Sequence, residues 1–233
     1  MSRSISSSKV NDPLTGKAPE ECLHEGRLVI LEPLDLDRHG DALYSVSHSD
    51  EEARRIWTYL PDGPFENLAS FRQWAARMTQ EPDRLVFAVR DRGSDRLGGM
   101  AMYLDIRPPH GSIEIGYIWF APFIQRTPQA TEALFLMLRH AFDELRYRRM
   151  QWRCNALNEK SRAAALRLGF TFEGIFHQHM VVKGHNRDTA WYSMLDYEWP
   201  RIRANFETWL ASSNFDAQGR QLSSLSRLNE KVD

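Results

Sequence analysis

The chain has 233 residues, 42% hydrophobic and 26% charged, with a formal net charge of -1. That length and balance fit one medium-sized globular domain with tails, and the near-zero charge removes the electrostatic case for general nucleic-acid binding. No apolar run reaches the length of a membrane span. The only cysteines, Cys22 and Cys154, form no CxxC pair and no disulfide framework, which favours a reducing compartment, the cytoplasm by default.

Residues 1–23 read as a polar leader, Ser-rich through Lys17 and lacking the apolar middle of a signal peptide. Such a segment is expected to be disordered. Residues 24–211 read as a single domain, and residues 212–233 as a polar tail, mobile from Gln218 onward. Arg27 to Leu34 alternates as a first strand, and Asp35-Leu36-Asp37 opens a helix toward Ser47. Glu51 to Tyr59 fits helix and loop equally. Tyr59-Leu60-Pro61-Asp62-Gly63-Pro64 is a loop, because its prolines and glycine exclude both regular ladders. Leu68, Phe71, Trp74, Ala75 and Met78 have helical spacing, which predicts a helix over Asn67–Gln80 with Trp74 in the core.

Leu85–Val89 is a buried strand, Arg92–Asp95 a hairpin turn and Leu97–Ile106 the returning strand. Ile113–Phe120 adds another. Gln125-Arg126-Thr127-Pro128-Gln129-Ala130 is a short polar segment that leads into a helix from about Thr131. Ala130, Ala133, Leu134, Met137, Leu138, Ala141, Phe142 and Leu145 form its apolar stripe. A strand over Met150–Cys154, a helix capped by Asn158, strands over Thr171–Val182 and Asp188–Tyr197, and a helix over Trp199–Ala211 complete the domain. This order predicts an α/β sandwich around a mixed, mostly antiparallel sheet.

Strand, polar loop, helix, strand, Asn158-x-x-Ser161, helix and Leu168-Gly169-Phe170 follow one another over Ile113–Phe170. That succession resembles the GNAT superfamily of acyl-CoA-dependent N-acyltransferases, and within it the branch that acetylates ribosomal-protein N-termini. A Gly184-x-x-x-Asp188 turn extends the likeness to Leu195; it is looser over Arg27–Arg107. The resemblance implies a GNAT-like sheet of about seven strands, splayed between the fourth and fifth and flanked by helices. It implies acetyl-CoA as acyl-donor co-substrate and an amine acceptor, either a protein N-terminus or a small molecule. It gives no metal, nucleic-acid or membrane partner, and it allows a homodimer.

Carried over residue by residue, the resemblance assigns the backbone of Ile118, Trp119 and Phe120 to the pantetheine arm, paired as a peptide strand would be. Gln125, Arg126, Thr127, Gln129, Ala130 and Thr131 fall to the pyrophosphate, with the positive end of the following helix. Gln125 and Ala130 match the ends of the family's loop, but Pro128 stands where glycine is usual. Proline removes one N–H donor while suiting the first helical position. Arg126 and the Thr127 and Thr131 hydroxyls are expected to replace part of that cradle. Without a ligand, the same segment is simply a helix cap.

Asn158 is expected to contact the pantetheine as well as to cap its helix. Many relatives carry a tyrosine acid on this helix, where Ala163-Ala164-Ala165-Leu166 stands here. Ser161 is therefore the expected proton donor to sulfur, as in the ribosomal-protein branch. Glu114 is the first candidate base, with a solvated carboxylate as the plain alternative, and His179 the second. Trp57 and Tyr59, beside the proline loop, are expected to line the acceptor mouth. His177-x-His179 would put two imidazoles on one strand face, yet no third ligand has metal-site spacing. Pro128 and the missing tyrosine motivate one alternative, an acyl-CoA-binding module without turnover. No Gly-x-x-x-x-Gly-Lys-Ser/Thr motif supports an NTPase.

Overall fold

Strands with apolar residues at successive positions must be covered on both faces, because side chains alternate across a sheet. Phe87 and Val89 enter one core cluster, and Val86 and Ala88 enter the other. A computed structural model describes Arg3 and residues 16–230. The strands are β1 (His24–Glu25), β2 (Val29–Pro33), β3 (Leu85–Asp91), β4 (Leu97–Arg107), β5 (Ser112–Phe120), β6 (Arg149–Asn155), β7 (Thr171–Val182) and β8 (His185–Leu195). They form one eight-stranded sheet in the order β1-β2-β3-β4-β5-β6-β8-β7. Every neighbouring pair is antiparallel except β5 and β6.

The helices are α1 (Leu36–His48), α2 (Glu51–Arg54), α3 (Leu68–Gln80), α4 (Pro128–Arg139), α5 (Glu159–Arg167), α6 (Trp199–Leu210) and α7 (Leu225–Asn229). Leu43 of α1 with Phe71 and Trp74 of α3 cover one face of the sheet. Ala133 and Met137 of α4 with Phe206 of α6 cover the other, against Leu31, Phe87, Tyr103 and Met150. Tyr103 fixes α4 in place, its hydroxyl donating to the Met137 carbonyl at 2.6 Å. Side chains cap the helix starts: Asp35 caps α1 and Asn67 forms a capping box with Ser70 on α3. Gly169 (φ 97°) closes α5, with Phe170 N–H on Ala165 O and its own N–H on Leu166 O. That pattern is the Schellman cap.

The sequence expectations differ from the structure at several points. The sheet has eight strands because β1, two residues paired to Ile30 and Leu31, is too short to show a period. The ambiguous Glu51–Tyr59 stretch begins as α2, capped by Asp50, and tightens into a 3-10 turn over Arg55–Trp57. Helix α4 starts at Pro128, with Thr127 as its cap. The last strand starts at His185, since Lys183 (φ 50°) and Gly184 (φ 77°) make a two-residue hairpin turn.

The expected leader lies outside the described residues apart from Arg3 and residues 16–23. Arg3 bonds Ser193 and Glu198. Residues 212–230, read as tail, fold back on α5 and α6. Leu225 is fully buried, Asn229 donates to the Arg167 carbonyl at 3.0 Å, and Asn214 bridges Trp209 and Ser223. Residues 231–233 lie outside the described residues.

Candidate active site

β5 and β6 pair over only three positions, Ser112 with Arg149, Ile113 with Met150 and Glu114 with Gln151. Beyond Glu114 the strands part, so the β5 backbone from Ile115 to Phe120 turns an edge without a strand partner toward β6. The other edge of β5 stays on β4 through a bulge, where Tyr117 and Ile118 oppose Ala101 alone. Tyr117 takes a φ of 48°, and the bulge bends the strand away. Gly116 leaves room beside it: a Cβ there would meet Leu104 Cδ1 at 2.5 Å and Glu114 Oε1 at 3.1 Å and push those side chains aside. The expected splay and the expected placing of Ile118, Trp119 and Phe120 along it are thus both visible. The Trp119 side chain is buried in the core, so only its backbone is available.

The polar loop closes on itself before it opens α4. Gln125 donates its amide to the Phe120 carbonyl at 2.7 Å, and Thr127 donates to the Ile124 carbonyl at 2.6 Å. The Thr127 oxygen accepts from Ala130 N–H at 3.5 Å, the helix cap. Gln129 reaches Asp91 at 3.4 Å. Thr131 is buried and accepts from Arg167 at 3.2 Å, on the side facing α5 and α6. Arg126 differs: it is exposed, held at φ 61°, and engaged by no other described residue. A free guanidinium therefore stands at the positive end of α4, where an anion is favoured. The hydroxyls expected to help it are committed to the fold.

Glu114, the last residue of β5 paired to β6, is 3% exposed. Its carboxylate contacts the Arg153 guanidinium, which also holds Asp105 at 2.6 Å. Arg153 lies 4.9 Å above the Trp191 ring. Burial pushes the Glu114 carboxyl up from its usual 4.5 to about 7, with Arg153 pulling it back only in part. The solvated carboxylate considered from the sequence is excluded by this burial. A cleft of about 350 Å³ opens beside the group, lined in part by Asp105, Arg107, His110, Gln151, Arg153 and Trp191.

Asn158 caps α5, its side chain accepting from Ser161 N–H at 3.1 Å. Ser161 Oγ accepts from Trp152 Nε1 at 3.0 Å. Trp152 follows Gln151, the partner of Glu114, so it and Ser161 lie on the opposite face of β6 from Glu114, with Met150 and Cys154. Burial pushes the neighbouring Cys154 thiol up, while a hydrogen bond with Ser161 opposes that rise.

The acceptor side corrects two expectations. Trp57 is fully buried, packed against Phe65, Trp74 and Trp119 with centroids 5.1–5.7 Å apart. Its ring is core and does not line a mouth. Tyr59 is 39% exposed on the adjoining loop. The imidazoles of His177 and His179 do not share a face. Gln178 (φ 51°) forms a bulge, sending His177 to Asp188 at 2.9 Å and His179 to Thr189 at 3.0 Å, neighbours that alternate across the strand.

Two contacts were beyond sequence reasoning. Tyr117 donates to Asp62 at 3.1 Å, and Lys183 at the β7–β8 turn donates to the Trp57 carbonyl at 2.8 Å. Burial, then the Asp62 charge, pushes the Tyr117 hydroxyl well up. The proline loop and the hairpin tip thus close one side of the fork. Arg153 and Asp105 were also missed; only their distance from Glu114 in space reveals them.

A mostly antiparallel sheet forked at its single parallel pair, with a polar loop opening a helix beside the fork, defines an acyl-CoA-dependent transferase fold. The family model of the GNAT acetyltransferase domain matches residues 28–171, and the chain belongs to that family. A GCN5-related N-acetyltransferase from Brucella melitensis is 45% identical with a TM-score of 0.91, covering 94% of this chain and 99% of that one. A GNAT-family structure from Chromobacterium violaceum is 42% identical with a TM-score of 0.79, covering 84% and 98%. Among curated proteins, the Bacillus subtilis "Putative ribosomal N-acetyltransferase YdaF" is 34% identical over 73% of this chain and 91% of its own length. The chain is an acetyltransferase that uses acetyl-CoA, and the expected likeness to the ribosomal-protein branch is present.

Proposed function

We propose that the chain transfers the acetyl group of acetyl-CoA to a primary amine by direct attack in a ternary complex. The observation that carries this is Glu114, a buried carboxyl near neutrality placed where the strands part. A base with such a value accepts an ammonium proton at physiological pH, directly or through water in the adjoining cleft. The bound thioester supplies an activated acyl group. The open β5 edge from Ile118 to Phe120 offers backbone partners for the pantetheine, Arg126 and the α4 terminus attract the pyrophosphate, and Asn158 borders the far side. Ser161 accepts from Trp152 and hydrogen-bonds Cys154, and its hydroxyl would turn from that thiol to give its proton to the leaving sulfur. The similarity to YdaF favours a protein N-terminus as acceptor, with Tyr59 at the rim. The free thiols of Cys22 and Cys154 suit a reducing compartment such as the cytoplasm.

The test is calorimetric titration with acetyl-CoA, followed by free-thiol release across a panel of N-terminal peptides, polyamines and amino acids. At a hundred times its dissociation constant, acetyl-CoA should stabilise the fold by about 2.7 kcal/mol. Binding without thiol release from any amine would overturn the proposal. Arg126→Ala should weaken acetyl-CoA binding by about 1–3 kcal/mol, as for a charge-assisted bond; an unchanged titration would remove Arg126 from the site. Ser161→Ala should lower turnover by about tenfold to a hundredfold while leaving affinity unchanged. This is modest for acid catalysis because a thiolate already leaves well. Wild-type turnover in that variant would exclude the role.

A further inference from the structure

We propose that Cys22, His24 and His140 bind a thiophilic divalent transition-metal ion of the zinc class, away from the acyl-transfer site. One ligand atom from each lies within 4.8 Å of the others. Cys22 lies two residues before His24, the first residue of β1, a spacing that puts both side chains on one face of an extended chain. His140 opens the π-helical turn that continues α4 to Glu144. Since α4 has 12 residues, its length of about 18 Å separates this cluster from Arg126.

Three observations point to a ligand rather than to packing. First, the spacing suits coordination. Cys22 Sγ and His24 Nε2 are 3.8 Å apart, against about 3.6 Å for sulfur and nitrogen on one tetrahedral zinc. The two imidazole centroids are 4.3 Å apart. Second, His140 is 6% exposed and its Nε2 has no hydrogen-bond partner among the described residues. A buried nitrogen without a partner is rare and calls for an explanation. Third, the other nitrogen of that ring is already oriented. Nδ1 faces Glu144 Oε2 at 2.9 Å, so it carries the proton and leaves the Nε2 lone pair free. A carboxylate behind a ligating histidine is the usual support of a metal site.

One thiolate and two imidazoles select zinc, cobalt or copper over magnesium or calcium. On binding, the Cys22 thiol gives its proton to solvent as the sulfur–metal bond forms and the ion loses water. The fourth position is left to a remaining water. The ion would tie β1, held to the sheet by two residue pairs, to the far end of α4. It is a structural clasp in this reading.

The test is Co2+ titration of the chelator-stripped, reduced full-length chain. One equivalent should give a near-ultraviolet thiolate charge-transfer band and intense tetrahedral d–d bands, both bleached by Zn2+. Cys22→Ala should lose the charge-transfer band, and Cys154→Ala should keep it. Glu144→Gln should keep the band and weaken affinity by about 10–100-fold. Zn2+ should also protect Cys22 of the unaltered protein from alkylation, read by mass spectrometry, which needs no variant to fold. Absence of the band, its survival in Cys22→Ala, or unchanged alkylation of Cys22 would each overturn the proposal.

Discussion

Replacing Glu114 by Gln is expected to lower kcat/KM for amine acetylation by about 10²–10⁴, the usual range for a lost general base. The wild-type profile should rise with pH through about 7, where burial has placed this carboxyl, because only the ionised form accepts the ammonium proton. The Gln variant should lose that limb and keep its acetyl-CoA affinity. Arg153 retains Asp105 at 2.6 Å, so the substitution does not strand a buried cation. The same residue leaves a mark on folding. Its folded value lies above the unfolded one, so its contribution to stability is full below about 4.5 and is lost as pH rises through about 7. Steady-state kinetics across pH, paired with unfolding curves, would read both effects. An unaltered limb in Glu114→Gln would assign the base to another group, with His179 the next to replace.

The second large effect concerns stability. Glu132 of α4 is 5% exposed and accepts three backbone N–H groups, from Arg27 at 3.1 Å, Leu28 at 2.6 Å and Val29 at 2.9 Å. One carboxylate therefore terminates the turn between β1 and β2. Gly26 is part of the same device, since a Cβ there would lie 2.3 Å from Glu132 Oε2. Glu132→Ala leaves these donors without a partner, and each unpaired buried group costs about 1–3 kcal/mol. A loss of about 2–5 kcal/mol is expected, allowing for water reaching the more open donors. Guanidinium unfolding would show it as a lower midpoint with unchanged slope. A change within about 0.5 kcal/mol, as at an ordinary surface position, would refute the account.

Glu132 also shows where sequence reading stops. Its partners lie 103–105 residues away, and nothing in the α4 pattern separates this glutamate from a solvated one. Features legible in the sequence were those written in local period or punctuation. They include the α3 stripe, the Asn158 cap, the Gly169 closure and the apolar run of β5. Position was legible at Glu114, but its burial was not, because that depends on Arg153 and Trp191 arriving from other strands. Trp57 misled because a loop-flanking aromatic and a core aromatic look alike until α3 folds across it. The bulge at Gln178 escaped notice because nothing in the alternating pattern marks it. Residues 212–230 are polar in composition, yet Asn214 and Asn229 spend that polarity on backbone groups, which hydropathy does not register.

The fork also divides the sheet mechanically. β1 through β5 form one plate and β6, β8 and β7 a second, and the seam between them is only three residue pairs long. Beneath the seam α4 packs on the shared core, and across it Arg153 of β6 pairs with Glu114 of β5 and Asp105 of β4. Apolar contact is non-directional and tolerates small rotations, whereas a hydrogen-bonded ladder does not. Ladder pairing between the two plates is confined to Ser112–Glu114, so any rotation of one plate against the other has that short seam as its hinge line. Anything bridging the two strand edges above Glu114 acts as a brace, and its strength sets the stiffness of the whole sheet.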